Sequence, residues 1–211
     1  MDWLRHLHSE AWLLQLVSDA GLIALVLIVF AETGLLAGFF LPGDSMLVTA
    51  GILTVATPDR PALLDLGSAL VALTLAAVIG NEVGRWLGTR LGEAARRRPD
   101  GWFFKRRHLE SAEAYYAEKG ALSLVLARFV PVLRTFVPFV AGMARMDTRR
   151  FLVWNVVGAV VWVPGLLLLG HGIGRTPLAE SLHEVILVVI ALSFLPLVIG
   201  ALRRWLKPRG G

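Results

Sequence analysis

The stretch RFVPVLRTFVPFVAG, residues 128–142, decides how this chain is read. Two arginines and two prolines interrupt a run that is otherwise apolar. A guanidinium at the bilayer centre costs about 2.5–3.5 kcal/mol on insertion scales, so Arg128 and Arg134 must face protein, water or ligand rather than lipid. Proline frees backbone carbonyls, which at membrane depth is tolerated only where irregular chain is buried or lines a wet cavity. Pro131 and Pro138 therefore mark breaks in the backbone, with the arginines beside them. On a continuous helix two residues six apart lie roughly 120° out of register; a break at Pro131 lets both guanidinium groups converge.

The surrounding chain makes the membrane the right solvent. Of its 211 residues 56% are hydrophobic, and the mean hydropathy is +0.66. That is above the roughly 45–50% of soluble domains. The net charge of +5 sits in blocks beside apolar runs, where basic residues set topology instead of binding nucleic acid. Arg90 to Arg107, Arg145 to Arg150 and Arg203 to Arg209 are placed on the cytoplasmic side, and the loops near residues 58–65 and 174–184 outside. With no cysteine, disulfides and thiolate metal sites are excluded.

A second broken segment precedes the first. Residues 20–58 carry only two charges, Glu32 and Asp44, and are interrupted by Gly38, Pro42 and Gly43. As one straight helix they would be nearly twice the thickness of the hydrocarbon core, so the chain must bend back or cross twice. The expected organisation is an N-terminal amphipathic segment (1–19) and a membrane core (20–175). The core contains the broken segment 20–58, a transmembrane helix 66–88, a cytoplasmic amphipathic segment 93–119, a second re-entrant segment 121–146 and a transmembrane helix 151–172. A C-terminal transmembrane helix (183–202) and a basic cytoplasmic tail (203–211) follow.

The fold class expected is an all-α membrane protein, an inverted repeat of two re-entrant helical hairpins with several transmembrane helices. Echoes between the halves support inversion: FLP at 40–42 and FVP at 129–131, AG at 50–51 and 141–142, and Asn81, Gly84, Trp86 against Asn155, Gly158, Trp162. Inverted repeats with broken helices are how many transporters build a site open to either side. Gly80, Gly84 and Gly88 recur at four-residue spacing, and with Asn81, Asn155 and Gly158 they are read as helix-packing positions.

Two chemistries fit the four buried charges. Glu32 and Asp44 could neutralise Arg128 and Arg134 as an ion-pair cluster joining the hairpins, since buried ions need partners. Alternatively the arginines grip a phosphate, for which a planar guanidinium is suited, and the carboxylates couple that event to a proton. Burial disfavours a charged carboxylate and a neighbouring guanidinium favours it, so the residue types leave the balance open. Glu82 and Arg85 are spaced for a local pair. The histidines show no close metal-ligand pattern beyond His6 and His8. Neither a GxSxG nor a Walker motif is present, so no enzyme, metal or cofactor is expected.

FAETGLLAGFFLPGDSMLVTAG (30–51), GNEVGRWLG (80–88), ARFVPVLRTFVPFVAGMARM (127–146) and NVVGAVVW (155–162), in that order, resemble the DedA family of VTT-domain membrane proteins. The resemblance covers most of residues 20–175. It implies inverted re-entrant hairpins, with the family's essential acidic positions on Glu32 and Asp44 and its essential arginines on Arg128 and Arg134. It also implies a multi-pass protein of the bacterial inner membrane that moves undecaprenyl phosphate or a phospholipid between leaflets. Protons are a further expected partner, nucleic acid is not, and a homo-oligomer is compatible. Arg85 stands where the family commonly has an aromatic, which leaves open any role of that aromatic. Rival functions are proton-coupled transport of a small solute or drug, and a non-transporting assembly role.

Overall fold

Breaks in the apolar pattern become helix ends. The computed structural model describes residues 10–36, 43–57, 61–96 and 122–176. Six helices occupy them: α1 Glu10–Gly34, α2 Gly43–Leu53, α3 Leu66–Arg96, α4 Leu122–Ala127, α5 Pro131–Met143 and α6 Thr148–Gly174. The described residues are helical and loop only, as expected of an all-α membrane protein. Of the expected segments, the cytoplasmic one (93–119) beyond residue 96, the C-terminal span (183–202) and the tail (203–211) lie outside the described residues, as do Gly38 and Pro42.

Each helix end has a local cause. Asp65 precedes α3 and its carboxylate accepts from Ser68 N at 2.7 Å, an N-cap that supplies a partner for a free amide. Asp147 does the same for α6, accepting from Arg150 N at 2.8 Å. Between α4 and α5 the ladder tightens to i→i−3 bonds from Arg128, Phe129 and Val130. Val130 is extended (φ −119°, ψ 112°), as the residue before a proline prefers, and Pro131 opens α5. Pro138 behaves differently from the expected break: it lies inside α5, which continues to Met143. A proline there forfeits one bond to the carbonyl four residues back, that of Arg134, and packing of the helix against α3 holds the rest of the turn together. At its end α5 closes with Arg145 N→Gly142 O and Met146 N→Ala141 O, the Schellman pattern, around Arg145 at φ 52°.

α3, at 31 residues, and α6, at 27, are the two described helices long and apolar enough to cross a membrane. They run antiparallel, since Arg85 lies over Phe151 while Asn81 meets Asn155 four residues earlier on one helix and four later on the other. The shorter helices, 11 residues in α2 and 13 in α5, rise only about 16 and 20 Å, short of the roughly 30 Å hydrocarbon core. α2 lies along α6 in the same sense: Asp44 meets Trp162, and Ile52 meets Gly174. α5 lies along α3, also in the same sense, with Pro138 near Gly84 and Met143 near Gly92. The two short helices therefore point in opposite directions, and their N-terminal turns meet in the interior.

Glycine makes both long contacts possible. A Cβ on Gly51 would overlap Leu167 O, and one on Gly142 would overlap Arg85 O. Between helices in lipid there is no gain from leaving water, so close backbone approach and the dispersion it brings supply the attraction. The same logic places Gly80 against Thr33, Gly88 against Phe139 and Gly158 against Arg128. Outward, α3 presents Val71, Leu75 and Ile79, and α6 presents Val153, Val160 and Leu168, all more than half exposed and apolar. Such faces suit hydrocarbon as their solvent. The main core joins Val29, Leu47, Leu73, Ala77, Trp162 and Leu167 from α1, α2, α3 and α6.

Candidate functional site

The two N-terminal turns and the end of α1 bring three of the four predicted charges into contact. Glu32 lies on the last turns of α1, Asp44 on the first turn of α2 and Arg134 on the first turn of α5. Arg134 is 3% exposed and Glu32 fully buried. The guanidinium reaches both carboxylates: Nη2 pairs with Glu32 Oε1, and Nη1 donates to Asp44 Oδ1 at 2.5 Å. One planar fork thus bridges two carboxylates from different helices, a geometry an ammonium cannot copy. Residues 102 and 90 positions apart meet here because the end of α1, the start of α2 and the start of α5 lie at the same level.

Several contacts fix this junction. The amide of Gly43 donates to Glu32 Oε1 at 3.3 Å, and Gly43 has no Cβ because the Glu32 carboxylate occupies its place. Thr135 Oγ1 donates to Glu32 O at 3.2 Å, tying α5 to α1. Trp162 of α6 donates from Nε1 to Asp44 Oδ1 at 3.0 Å while its ring lies 4.9 Å from the Arg134 guanidinium carbon. That is cation–π range. Glu32 Oε2 and Arg134 Nε have no hydrogen-bond partner among the described residues.

Arg128 is held differently. It sits on the turn after α4, 2% exposed, with its guanidinium carbon 5.9 Å from the same Trp162 ring. Its Nη2 donates to Asn155 Oδ1 at 2.5 Å and to Asn155 O at 3.3 Å. Asn155 in turn donates from Nδ2 to Val78 O at 3.0 Å. Asn81 completes the group: as oriented it donates to Asn155 Oδ1 at 3.1 Å. With its amide reversed, its oxygen accepts from Arg128 Nη2 at 2.8 Å and its nitrogen donates to Thr33 O at 3.2 Å. The expected neutralisation of two arginines by two carboxylates is therefore uneven. Both carboxylates go to Arg134, because α2 and the end of α1 converge on α5, whereas Arg128 faces α6 at its neutral Asn155.

The remaining predicted residues divide clearly. Pro131 and Gly43 stand at helix starts beside the junction, and Pro138 is buried within α5. Gly80, Gly84, Gly88 and Gly158 are close-approach positions. Asn81 and Asn155, expected as packing residues, are also the polar clasp around Arg128. Glu82 and Arg85 form the local pair expected, with Nε to Oε2 at 3.0 Å. Trp162 is the residue that sequence reasoning passed over as a site. Its signal was a tryptophan placed well inside a span, where an indole N–H needs a partner. Among the described residues no group of acidic, histidine or cysteine side chains could hold a metal.

The VTT domain matches residues 41–172, which include Asp44, both arginines, both asparagines and Trp162. The chain is 38% identical over 202 residues to the protein DedA of Escherichia coli K12, covering 93% of this chain and 90% of that one. It is 37% identical over 186 residues to the Mycobacterium tuberculosis membrane protein Rv0364, covering 88% and 80%. To the Escherichia coli inner membrane protein YqjA it is 30% identical over 181 residues, covering 83% and 76%. No solved structure matches. A domain match across more than half of the chain, with relatives similar along nearly all of it, makes this chain a member of the DedA family of VTT-domain membrane proteins.

Proposed function

We propose that this chain is a lipid transporter that carries the phosphate headgroup of an anionic lipid across the bilayer, the tails staying in hydrocarbon. The observation that carries the reading is the set of two deeply buried guanidinium groups, Arg128 and Arg134, facing one tryptophan ring. Buried cations of this kind inside a membrane protein mark ligand or ion pathways. Helix N-termini reinforce them, because α2 and α5 direct their positive dipole ends at the same region. In this reading phosphate binds the arginines, and Glu32 and Asp44 compete for them or take up a proton, so that ligand and proton binding are linked.

The same reading treats α1 to α3 and α4 to α6 as inverted halves whose short helices belong to re-entrant hairpins. The opposite directions of α2 and α5 and their matching glycine contacts, Gly51 on α6 and Gly142 on α3, support it. Location in a bacterial inner membrane is supported by the printed name of the relative, the Escherichia coli inner membrane protein YqjA, and the reading adds several spans. Polyprenyl phosphates and phospholipids both offer the required headgroup. Transport without covalent chemistry is proposed, so no catalytic residue is assigned.

One observation favours a second reading: Arg134 already holds both carboxylates, as a purely structural clamp in an assembly factor would. Reconstitution separates the two. Purified protein in liposomes containing a polyprenyl phosphate is followed for transbilayer movement, with and without a pH gradient, beside Arg128→Gln and Glu32→Gln proteins of equal fold. Movement by wild type that both substitutions abolish supports transport. Wild type inactive on polyprenyl phosphate and on common phospholipids sinks the proposal and favours the clamp.

A further inference from the structure

The two arginines have unlike surroundings. Every hydrogen bond that Arg128 makes among the described residues comes from Nη2 and ends on a neutral oxygen, of Asn155 and, with its amide reversed, of Asn81. No carboxylate of the described residues pairs with it, whereas Arg134 has two. Summed as formal charges, the three side chains Glu32, Asp44 and Arg134 make a group of net negative charge. Arg128, beside α4 and α6, is a positive charge that no carboxylate of the described residues pairs with. An incoming anion is repelled from the first group and attracted to the second.

We infer that Asn155 decides which arginine receives the anion: it orients the Arg128 guanidinium through a neutral acceptor, leaving that charge uncompensated for a phosphate. The inference rests on the phosphate reading above and assigns Asn155 as a positioning and specificity residue. An aspartate of the same shape would satisfy the guanidinium equally well in geometry, yet it would occupy the charge a ligand needs. A neutral residue there keeps Arg128 oriented and cationic, at the expense of a buried charge without an ionic partner. Asn81 backs this arrangement from α3, so two helices share the task of holding one cation without cancelling it.

The test compares Asn155→Asp, Asn155→Ala and Asn81→Asp with wild type in nanodiscs of zwitterionic lipid. The probes are farnesyl phosphate, farnesol as the uncharged control, and inorganic phosphate. Ligand-free melting is recorded alongside affinity from ligand-induced thermal shift. The inference expects farnesyl phosphate to bind wild type, and Asn155→Asp to weaken it tenfold or more while melting no lower than Asn155→Ala. It expects Asn155→Ala, which keeps the charge and loses only the orientation, to lose clearly less. Inorganic phosphate binding as tightly as farnesyl phosphate would identify a soluble anion as the ligand while leaving the role of Asn155 intact. Asn155→Asp binding within twofold of wild type, or Asn155→Ala and Asn155→Asp losing equally, overturns it. If Asn155→Asp does not fold, Asn81→Asp is judged by the same criterion. Absence of any phosphate binding by wild type overturns the phosphate reading itself, and this inference with it.

Discussion

The carboxylate of Glu32 occupies the space where residue 43 would carry a Cβ, so Gly43 and Glu32 are fitted to each other across the gap between α1 and α2. Gly43→Ala must push the carboxylate away from Arg134 or move the start of α2. Overpacking of this kind costs about 1–3 kcal/mol. We expect a lower melting temperature and at least a tenfold loss of transport in liposomes; normal values of both would mean the junction is looser than described.

Arg134 is the hub of that junction, and its removal takes the guanidinium away from the buried Glu32 carboxylate and the half-buried Asp44 carboxylate. Losing one partner of a buried pair costs about 3–5 kcal/mol, much of it the penalty of the charge left behind. Arg134→Met should therefore be strongly destabilising, and Glu32→Gln with Asp44→Asn in the same chain should recover part of the loss. A double-mutant comparison of melting curves reads the coupling directly. Additive effects would show that the three groups do not act together.

Trp162 combines two interactions that substitution separates. Trp162→Phe keeps an aromatic face over both guanidinium groups and deletes the Nε1 hydrogen bond to Asp44, worth about 1.5–3 kcal/mol for a charged acceptor. Trp162→Leu deletes the ring as well. Stability measured by thermal denaturation should fall in the order wild type, Phe, Leu. Equal melting of the Phe and Leu proteins would remove the cation–π contribution.

Glycine positions differ in what they tolerate. Gly51 and Gly142 touch backbone on a neighbouring helix, while a Cβ on Gly165 or Gly172 of α6 would meet nothing within 4 Å. Gly51→Val and Gly142→Val should each disrupt packing and lower the melting temperature. Gly165→Ala should be neutral or stabilising by up to about 1 kcal/mol through helix propensity. A parallel melting series decides, and destabilisation by Gly165→Ala would count against the assigned faces.

Arg145 holds the left-handed position of the Schellman turn between α5 and α6, with φ 52°. Glycine is the usual residue there because it lacks the Cβ that makes this region costly. Arg145→Gly should stabilise the fold by about 1 kcal/mol, seen as a rise of a few degrees in melting temperature. Its cost would be one residue of the basic block expected to face the cytoplasm, which Arg149 and Arg150 are expected to cover.

Much of this protein was written in local pattern. Long apolar runs of α3 and α6, Asp65 and Asp147 as caps, Pro131 as a helix start and the glycine stripe depend on neighbours within a turn or two. Such features are visible without knowing what lies across the bundle. The four charges could also be singled out, because a charge in an apolar run demands a partner wherever the chain goes. Pro138 was misjudged as a break because a single lost hydrogen bond can be outweighed by packing against α3, and packing is not local.

What only the tertiary structure decided was who pairs with whom. The residue types at 32, 44, 128 and 134 allow two symmetric ion pairs, one three-membered cluster, or an open site. The direction of α2 along α6 and of α5 along α3 selects a cluster of Glu32, Asp44 and Arg134, with Arg128 left to Asn155. Distances between groups about a hundred residues apart depend on helix crossing and on close glycine contacts, which act through space. The amino-acid sequence by itself determined that charges had to be buried in a membrane core, because solvation cost is a property of the residue; the fold determined which of them remained uncompensated, because Coulombic pairing is a property of position.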